Sequence, residues 1–291
     1  MKFVAEKGGK LSLFLKQEKG FSHKTLMLLK NAQGVLVNGA PVFMNYMLKP
    51  GDEVSLVFPP EAPSDVAPRD LPFCVVFEDE ALLVVNKPPG QSVYPCAPGE
   101  ESSLANAAAY YYQENGIFAP FRPVGRLDRG TSGLMLIAKN KHAATVLSRQ
   151  RQKKTYYAVL QGELSLSRGG ISLPLGPQEG SAICQGVDFN RGKSAATAFR
   201  ILGAGGGLTL AEVQIFTGRT HQIRAHFAHI GYPLYGDFLY GTENSEIARP
   251  PLHAGVLSFC HPLTRQPLCF AAPLPGDMKN LLANHEIFHN L

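Results

Sequence analysis

The chain has 291 residues, of which 45% are apolar and 18% charged, and its net charge is +5. It is therefore long enough to bury a sizeable core, and its low charge content makes long disordered stretches unexpected. No apolar run approaches the roughly 18 residues that cross a bilayer, and the first residues are charged where a secretory signal would be apolar, so we expect a cytoplasmic protein and no membrane span. Five widely spaced cysteines without a C-x-x-C pair indicate reduced thiols.

Residues 1–60 carry eight lysines against four acidic side chains, a concentration of positive charge that attracts polyanions such as nucleic acids. Apolar spacing in residues 11–15 predicts one helix, and Ser22 can cap a second. Asn38-Gly39 is typical of a hairpin turn. Residues 53–58 predict a further strand after the turn at Pro50-Gly51.

Three segments of this region, residues 11–15, 34–39 and 48–54, resemble an S4 RNA-binding domain. The resemblance implies an S4-like RNA-binding module over residues 1–58. Its second helix carries fewer basic side chains than is usual in such domains, namely His23, Lys24 and Lys30. A small packing module without a ligand is the alternative.

A proline-rich segment follows this module. Residues 59–72 contain five prolines and few apolar side chains, which predicts a semi-extended linker that packs poorly. The chain therefore divides into the module, the linker and a second domain over residues 73–291.

The second domain mixes strands and helices without strict alternation, which disfavours a doubly wound parallel sheet. We expect an α+β domain with a mixed, largely antiparallel sheet and flanking helices. Two helices are predicted after Ser102-Ser103 and after Asn140, each beginning at a residue that can cap it. Predicted strands lie at residues 81–86, 134–138, 155–160, 196–201 and 208–215.

Residues 122–154 hold nine basic side chains and one acid, Asp128. A solvated basic face would explain either basic segment alone, whereas the two together favour a nucleic-acid partner. Asp128 lies in a predicted turn between Arg126 and Arg129, and nearby positive charge favours its ionised form. An ionised carboxylate in a basic groove can attack a sugar or a base of a bound polyanion. A structural turn cap or arginine partner is the alternative role for Asp128.

Sequence signatures of nucleotide cofactors and of serine hydrolases are missing from the chain, since it has no dinucleotide fingerprint, no Walker A loop and no G-x-S-x-G elbow. His221, His226 and His229 lie on a predicted helix at spacings of five and three. This spacing differs from the i, i+4 histidine pair of zinc hydrolases. A metal-dependent hydrolase using these histidines stays open as an alternative.

Ordered motifs over roughly residues 73–275 resemble the RluA-type pseudouridine synthases. Gly125 departs from the histidine that usually precedes the central Arg-Leu-Asp. The motifs that carry the resemblance are Asn86-Lys87-Pro88-Pro89-Gly90, Arg126-Leu127-Asp128-Arg129 with Thr131-Ser132-Gly133-Leu134, Lys154-Thr155-Tyr156-Tyr157-Ala158, Thr217-Gly218-Arg219-Thr220-His221-Gln222-Ile223-Arg224-Ala225-His226 and Gly231-Tyr232-Pro233-Leu234-Tyr235-Gly236-Asp237.

The resemblance implies an enzyme that isomerises uridine in RNA to pseudouridine without a cofactor or a metal. Asp128 would be the nucleophile, Tyr156 would pack on the flipped base and serve in proton transfer, and Arg224 would pair with Asp128. Arg126 would contact backbone phosphate and help to extrude the uridine. The substrate-binding residues would be Lys87, Arg126, Arg129 and His221.

Ribosomal RNA is the expected substrate, because an S4-like module precedes the catalytic domain in the ribosomal-RNA branch of the family. Transfer RNA is an alternative substrate. A noncatalytic RNA-binding protein that assists ribosome assembly is an alternative function. Nothing in the sequence requires more than a monomer.

Overall fold

The computed structural model describes residues 1–59, 61–181 and 183–287. Pro60, in the predicted linker, lies outside the described residues, as do Ala182 and residues 288–291 of the predicted second domain. Within the described ranges, no helix is long and apolar enough to cross a membrane.

Residues 1–58 form a small antiparallel sheet covered by two short helical segments. The strand order in its main sheet is β1-β6-β3-β4, and β2 pairs with β5. The elements are β1 (Lys2–Val4), β2 (Gly9–Lys10), α1 (Leu11–Leu13) running into a wide π-type turn (Phe14–Glu18), α2 (His23–Asn31), β3 (Val35–Val37), β4 (Ala40–Pro41), β5 (Met47–Leu48) and β6 (Glu53–Leu56).

Local sequence accounts for most of this region. The Ser22 hydroxyl accepts a hydrogen bond from the Thr25 amide at 3.1 Å and so begins α2 as predicted. Asn38 and Gly39 both have positive φ, +50° and +81°, which is the geometry of a type I′ hairpin turn. The first helix differs from the prediction, because its regular part ends at Leu13 and its apolar residues continue through the wider turn.

The rest of the chain is built on one ten-stranded sheet. Its order is β12-β15-β16-β11-β17-β10-β8-β7, with β18 on β17 and β9 on β10. The strands are β7 (Cys74–Glu78), β8 (Leu82–Lys87), β9 (Pro123–Val124), β10 (Ser132–Ala138), β11 (Lys153–Gln161), β12 (Arg168–Ser172), β13 (Leu175–Pro177), β14 (Gln185–Val187), β15 (Ala196–Gly205), β16 (Leu208–Ile215), β17 (Leu252–Cys260) and β18 (Pro267–Ala271); β13 and β14 form a separate hairpin.

In the described part of the chain, this sheet is accompanied by four helices, which are α3 (Leu104–Glu114), α4 (Lys141–Arg149), α5 (Gln222–His229) and α6 (Gly276–Asn284). Every strand pair in the large sheet is antiparallel except β10 with β17, which is parallel. The prediction of a mixed, largely antiparallel sheet accompanied by helices is therefore confirmed. Strand β16 has the predicted bounds, and the other predicted strands begin or end within a few residues of theirs.

Strand β10 is central and buried along its whole length, because neighbours cover it on both edges and apolar clusters cover both faces. Gly133 lies where β10 meets β17. Its φ is +115°, and an added Cβ would collide with the backbone of Ala254. The parallel pairing thus requires a glycine at this position, directly after the loop that carries Asp128.

The proline-rich segment differs from its prediction as a poorly packing linker. It has no regular element in its described residues, but the Glu61 carboxylate forms ion pairs with Arg122 at 2.6 Å and with Lys141 at 2.8 Å. Nearby, the ring of Phe21 stacks on His142 of α4 with centroids 3.8 Å apart. Glu61 thus joins the proline-rich segment, and Phe21 joins residues 1–58, to the α4 side of the large sheet.

Candidate active site

Asp128 lies in the loop between β9 and β10, at the centre of a braced turn. Its own carbonyl accepts the Thr131 amide at 3.0 Å. The next residue, Arg129, is tied twice to Gly90: its carbonyl accepts the Gly90 amide at 2.9 Å, and its Nε donates to the Gly90 carbonyl at 2.9 Å. Arg249 donates to the Gly130 carbonyl at 3.0 Å. These bonds hold the backbone around Asp128 in one conformation.

Lys87 supports the same loop from the interior of the protein. Its side chain is fully buried, and its ammonium donates to the carbonyls of Pro88 and Gln91, both at 2.8 Å, and of Arg129 at 3.3 Å. Burial and, to a smaller extent, the nearby Arg249 lower its pKa to about 7, although Asp128 opposes that shift. The structure therefore places Lys87 beneath the site, with its ammonium directed at backbone carbonyls.

Helix α5 brings two predicted residues next to the Asp128 carboxylate. Arg224 Nη1 lies 3.8 Å and His221 Nε2 lies 3.9 Å from Asp128 Oδ2. Among the described residues, the carboxylate accepts no hydrogen bond, and its side chain is 21% exposed. His221 occupies the N-cap of the helix in a left-handed conformation, with φ +52°, and so lies just before the helix on which it was predicted.

The hydrogen bonds of Arg224 go to a second carboxylate, Asp237. Its Nε and Nη2 donate to the two Asp237 oxygens at 2.6 and 2.7 Å, and both side chains are buried. The Asp237 carboxylate also accepts the amides of Leu239 and Tyr240, at 3.0 and 3.3 Å. Arg224 is thus oriented by Asp237, and it approaches Asp128 at ion-pair distance only.

Tyr240 completes this arrangement. Its hydroxyl lies 3.0 Å from His221 Nδ1 and accepts the Gln185 amide at 2.7 Å, while its ring faces the Arg224 guanidinium at 5.0 Å. Burial lowers the pKa of His221, and the attraction of Asp128 offsets this only in part, so the imidazole is neutral near pH 7.

Tyr156 reaches the site from β11, where it pairs with Val213 on one side and Ala254 on the other. The residue is 5% exposed. Burial and the nearby Asp128 carboxylate both raise the pKa of its phenol above the ordinary value of 10.0, so the hydroxyl is protonated at neutral pH. Its neighbour Tyr157 points to the opposite face of the sheet, where it packs in a separate apolar cluster.

Two cavities open on the loop that carries Asp128. The first, which we call the Asp128 cleft, has a volume of about 750 Å³ and contains Tyr156. The second, of about 730 Å³, shares Arg126 and Asp128 with it and extends past the exposed ring of Phe238. The basic side chains that line the Asp128 cleft are Arg126, Arg151, Lys154, Arg219 and Arg224.

The three histidines of the metal alternative do not converge. His226 is buried with Nδ1 2.9 Å from the Thr197 hydroxyl and Nε2 3.0 Å from the Leu173 carbonyl, so both ring nitrogens have protein partners. In the described part of the chain, no three histidine, cysteine or acidic side chains are placed to hold a metal ion.

The structure thus brings Asp128, Tyr156, Arg224, His221 and Arg126 together. Sequence reasoning assigned no role to Asp237, Tyr240 or Lys154. Asp237 and Lys154 lie inside motifs that the sequence did single out, but nothing in their local pattern reveals which partners they meet across the fold.

Residues 81–229 match the family described as RNA pseudouridylate synthase. A protein of Bacillus subtilis (strain 168) named as an uncharacterized RNA pseudouridine synthase, YjbO, is 40% identical over 271 residues, which cover 91% of this chain and 95% of that protein. Ribosomal large subunit pseudouridine synthase D of Buchnera aphidicola is 34% identical over 74% of each chain. The solved structure of human RNA pseudouridylate synthase domain containing 1 is similar at a TM-score of 0.62 and 26% identity, covering 76% of this chain and 90% of the human one.

Proposed function

Because the chain belongs to the RNA pseudouridylate synthase family and is an RNA pseudouridine synthase, we propose that it isomerises uridine in ribosomal RNA with Asp128 as the catalytic nucleophile. The observation that carries this proposal is the Asp128 carboxylate itself. It has no hydrogen-bond donor among the described residues, and it faces the cleft that contains Tyr156 and the cation of Arg224. A carboxylate in that state keeps its lone pairs available for a substrate carbon.

The reaction begins when the bond between C1′ of the ribose and N1 of uracil breaks. Asp128 assists this step either by attack on C1′ or by a glycal route, and the electron pair of the broken bond stays on the uracil. The base then turns in the Asp128 cleft until C5 faces C1′. A C1′–C5 bond then forms as the Asp128 carboxylate leaves C1′ or, on the glycal route, as the proton taken from C2′ is returned. C5 loses its proton and N1 gains one, so atoms and electrons balance without a cofactor.

Tyr156 supplies the surface on which the extruded base rests. Enzymes that act on a nucleobase take it out of the stack and hold it against aromatic or apolar side chains. The raised pKa of Tyr156 keeps its hydroxyl protonated, which suits it to donate a hydrogen bond or relay the C5 proton and makes it a poor ionised base.

Arg224 and the neutral His221 stabilise the negative charge that Asp128 carries at rest and regains at the end of the reaction. Arg126 is exposed at the rim shared by the two cavities, where its guanidinium can bind backbone phosphate during extrusion. Arg129 is also exposed, and we propose the same kind of contact for it. We propose that Lys87 acts by holding the loop that presents Asp128 and Arg129.

Ribosomal RNA is favoured as the substrate class by the N-terminal region and by the relatives. We propose that residues 1–58 are an S4-like RNA-binding module, residues 59–72 a connecting segment and residues 73–291 the catalytic domain. A relative named ribosomal large subunit pseudouridine synthase D supports the same substrate. We propose that the enzyme acts as a monomer. The five cysteine thiols are free and four are exposed, which supports a reducing compartment such as the cytoplasm.

Release of hydrogen from C5 tests the proposal directly, because C5 exchanges its hydrogen for the glycosidic bond. Unmodified ribosomal and transfer RNA transcripts, tritiated at C5 of uridine, are incubated with the wild-type enzyme, with Asp128→Asn and with Asp70→Asn, a control carboxylate exposed outside the site. We expect release from ribosomal RNA by the wild type and by Asp70→Asn, and none by Asp128→Asn.

Each other outcome corrects a distinct part of the proposal. Release from transfer RNA alone would change the substrate class, and release by Asp128→Asn would remove Asp128 from the nucleophile role. If the wild type binds RNA but releases no tritium from ribosomal RNA, from transfer RNA or from ribosomal precursor particles, a noncatalytic RNA-binding function would be favoured.

A further inference from the structure

Lys154 is a cation in the Asp128 cleft to which neither the family resemblance nor the proposed mechanism gives a role. It lies on β11 two residues before Tyr156, so both side chains point to the same face of the strand, and both line the cleft. The preceding residue, Lys153, is exposed and does not line the cleft. The strand therefore presents two adjacent lysines to different surroundings.

The ammonium of Lys154 occupies space that Gly125 leaves open. Gly125 has a φ of +84°, which favours glycine, and a Cβ placed there would lie 3.4 Å from Lys154 Nζ. A longer side chain at position 125 would extend into the volume that the ammonium fills. Gly125, which departs from the histidine usual at this point of the motif, and Lys154 are thus spatially complementary.

Among the described residues of 73–291, Lys154 differs from Lys87 and Lys139, the other half-buried or buried lysines there, because its ammonium has no polar partner. Lys87 donates to three carbonyls, and Lys139 pairs with Glu78 at 2.7 Å. Among the described residues, the Lys154 side chain makes no hydrogen bond and no ion pair. Burial lowers its pKa to about 8, so the free enzyme holds a partly desolvated cation without a polar partner in the cleft that Asp128 also lines.

An uncompensated cation in a cleft is stabilised by an anion that enters with the substrate. RNA carries one such group on every nucleotide, and a target uridine drawn into the Asp128 cleft brings its flanking phosphates with it. We propose that Lys154 and the space at Gly125 form a phosphate subsite, in which the ammonium binds a phosphodiester oxygen next to the target uridine. This subsite rests on the proposed function, since it takes the same RNA into the same cleft.

The test compares Lys154→Met with Lys153→Met, which removes the same charge from the neighbouring, exposed position. We expect Lys154→Met to raise KM for tritiated ribosomal RNA about tenfold, as for loss of one charge-assisted hydrogen bond. The slope of log Kd against log salt should fall by about 0.7, the value for one phosphate contact to a single strand. Lys153→Met should change KM less than threefold.

Stability separates a binding role from a structural one. Removing a partly buried cation that has no polar partner should leave the thermal unfolding midpoint of Lys154→Met equal to or above that of the wild type. A lowered midpoint together with an unchanged KM would overturn the proposal. So would a fall in kcat without a change in KM, because it would assign Lys154 to the chemical step.

A pH profile gives an independent readout. The free wild-type enzyme should lose kcat/KM as the pH rises through about 8, because neutral Lys154 cannot bind phosphate. Lys154→Arg should retain kcat/KM there, and an unchanged alkaline loss in that variant would overturn the proposal. Lys87 is common to both enzymes and cancels in the comparison. The other ionisable groups that line the cleft are Arg126, Asp128, Arg151, Tyr156, Arg219, His221 and Arg224.

Failure of this subsite is distinguishable from failure of the proposed function. If wild-type enzyme releases tritium and Asp128→Asn does not, the function stands whatever the lysine variants show. If Lys154→Met and Lys153→Met then behave alike, only the phosphate subsite is refuted.

Discussion

Replacing Asp237 with asparagine should damage both the stability and the activity of the enzyme. Asp237 is fully buried and accepts hydrogen bonds from two of the three Arg224 guanidinium nitrogens, Nε and Nη2, at 2.6 and 2.7 Å. Breaking a buried ion pair by neutralising one partner costs about 3–5 kcal/mol, because the remaining charge stays desolvated. The asparagine amide keeps one oxygen acceptor for the guanidinium, so we expect the free energy of unfolding to fall by about 3 kcal/mol, the lower end of that range.

The same change should also alter the reaction. Without the Asp237 carboxylate, the nearest negative partner of Arg224 is Asp128, whose Oδ2 already lies 3.8 Å from Arg224 Nη1. A direct hydrogen bond between them would occupy a nucleophile lone pair and displace the carboxylate. We expect kcat for tritium release to fall about tenfold or more, an effect equivalent to about 1.4 kcal/mol in the barrier.

Urea unfolding and single-turnover tritium release measure the two effects separately. Asp277→Asn is the matched control, because Asp277 also binds an arginine, Arg249, through both oxygens but is 36% exposed. The control should lose less stability, since solvent screens the charge left behind. A loss below about 1 kcal/mol in Asp237→Asn, or an unchanged kcat, would refute the view that Asp237 orients Arg224.

Two further predictions concern stability. The pKa of His142 is lowered from 6.5 to about 4, chiefly by burial, so the unfolded chain binds this proton more tightly and stability is lost as the pH falls from about 6.5 toward 4. In urea titrations, His142→Phe, which keeps the stack on Phe21, should lose less of its free energy of unfolding over that pH range than the wild type. Equal losses in the two proteins would contradict the role of the imidazole. Ser103 caps α3 by accepting the Asn106 amide, so Ser103→Ala should lower the free energy of unfolding by about 1–2 kcal/mol. Replacing the exposed Ser102 with alanine should change the free energy of unfolding by no more than about 0.5 kcal/mol. Similar values for the two variants would show that the Ser103 cap does not stabilise α3.

Much of the fold was predictable because its signals are local. Helix caps such as Ser22 and Asn140 act within three residues, and the Asn38-Gly39 turn depends on two adjacent positive φ values. The continuous apolar run at residues 134–138 predicts a buried strand, and β10 is that strand with two residues added at its start. The wide turn after α1 was not predictable, because helical spacing does not distinguish a regular turn from a wider one.

The candidate site was only partly predictable. Asp128 stood out as the one acid in a basic segment, and its neighbours in sequence could be named with it. The partner of Arg224 could not, because Asp237 meets it after a turn 13 residues along the chain. The predicted binding role of Lys87 gave no hint that its ammonium would be enclosed by three carbonyls, one of them 42 residues away.

Local sequence was therefore enough to predict five strands of the second domain, the caps at Ser22 and Asn140, the basic segments and the carboxylate on which the chemistry is proposed to depend. Those features follow from steric and hydrogen-bonding preferences that operate over a few neighbouring residues. Tertiary structure alone decided that Lys154 fills the space beside Gly125 and that Asp237 takes the hydrogen bonds of Arg224. Such pairs depend on strand order and register across the whole sheet, which bring side chains together irrespective of their distance along the chain.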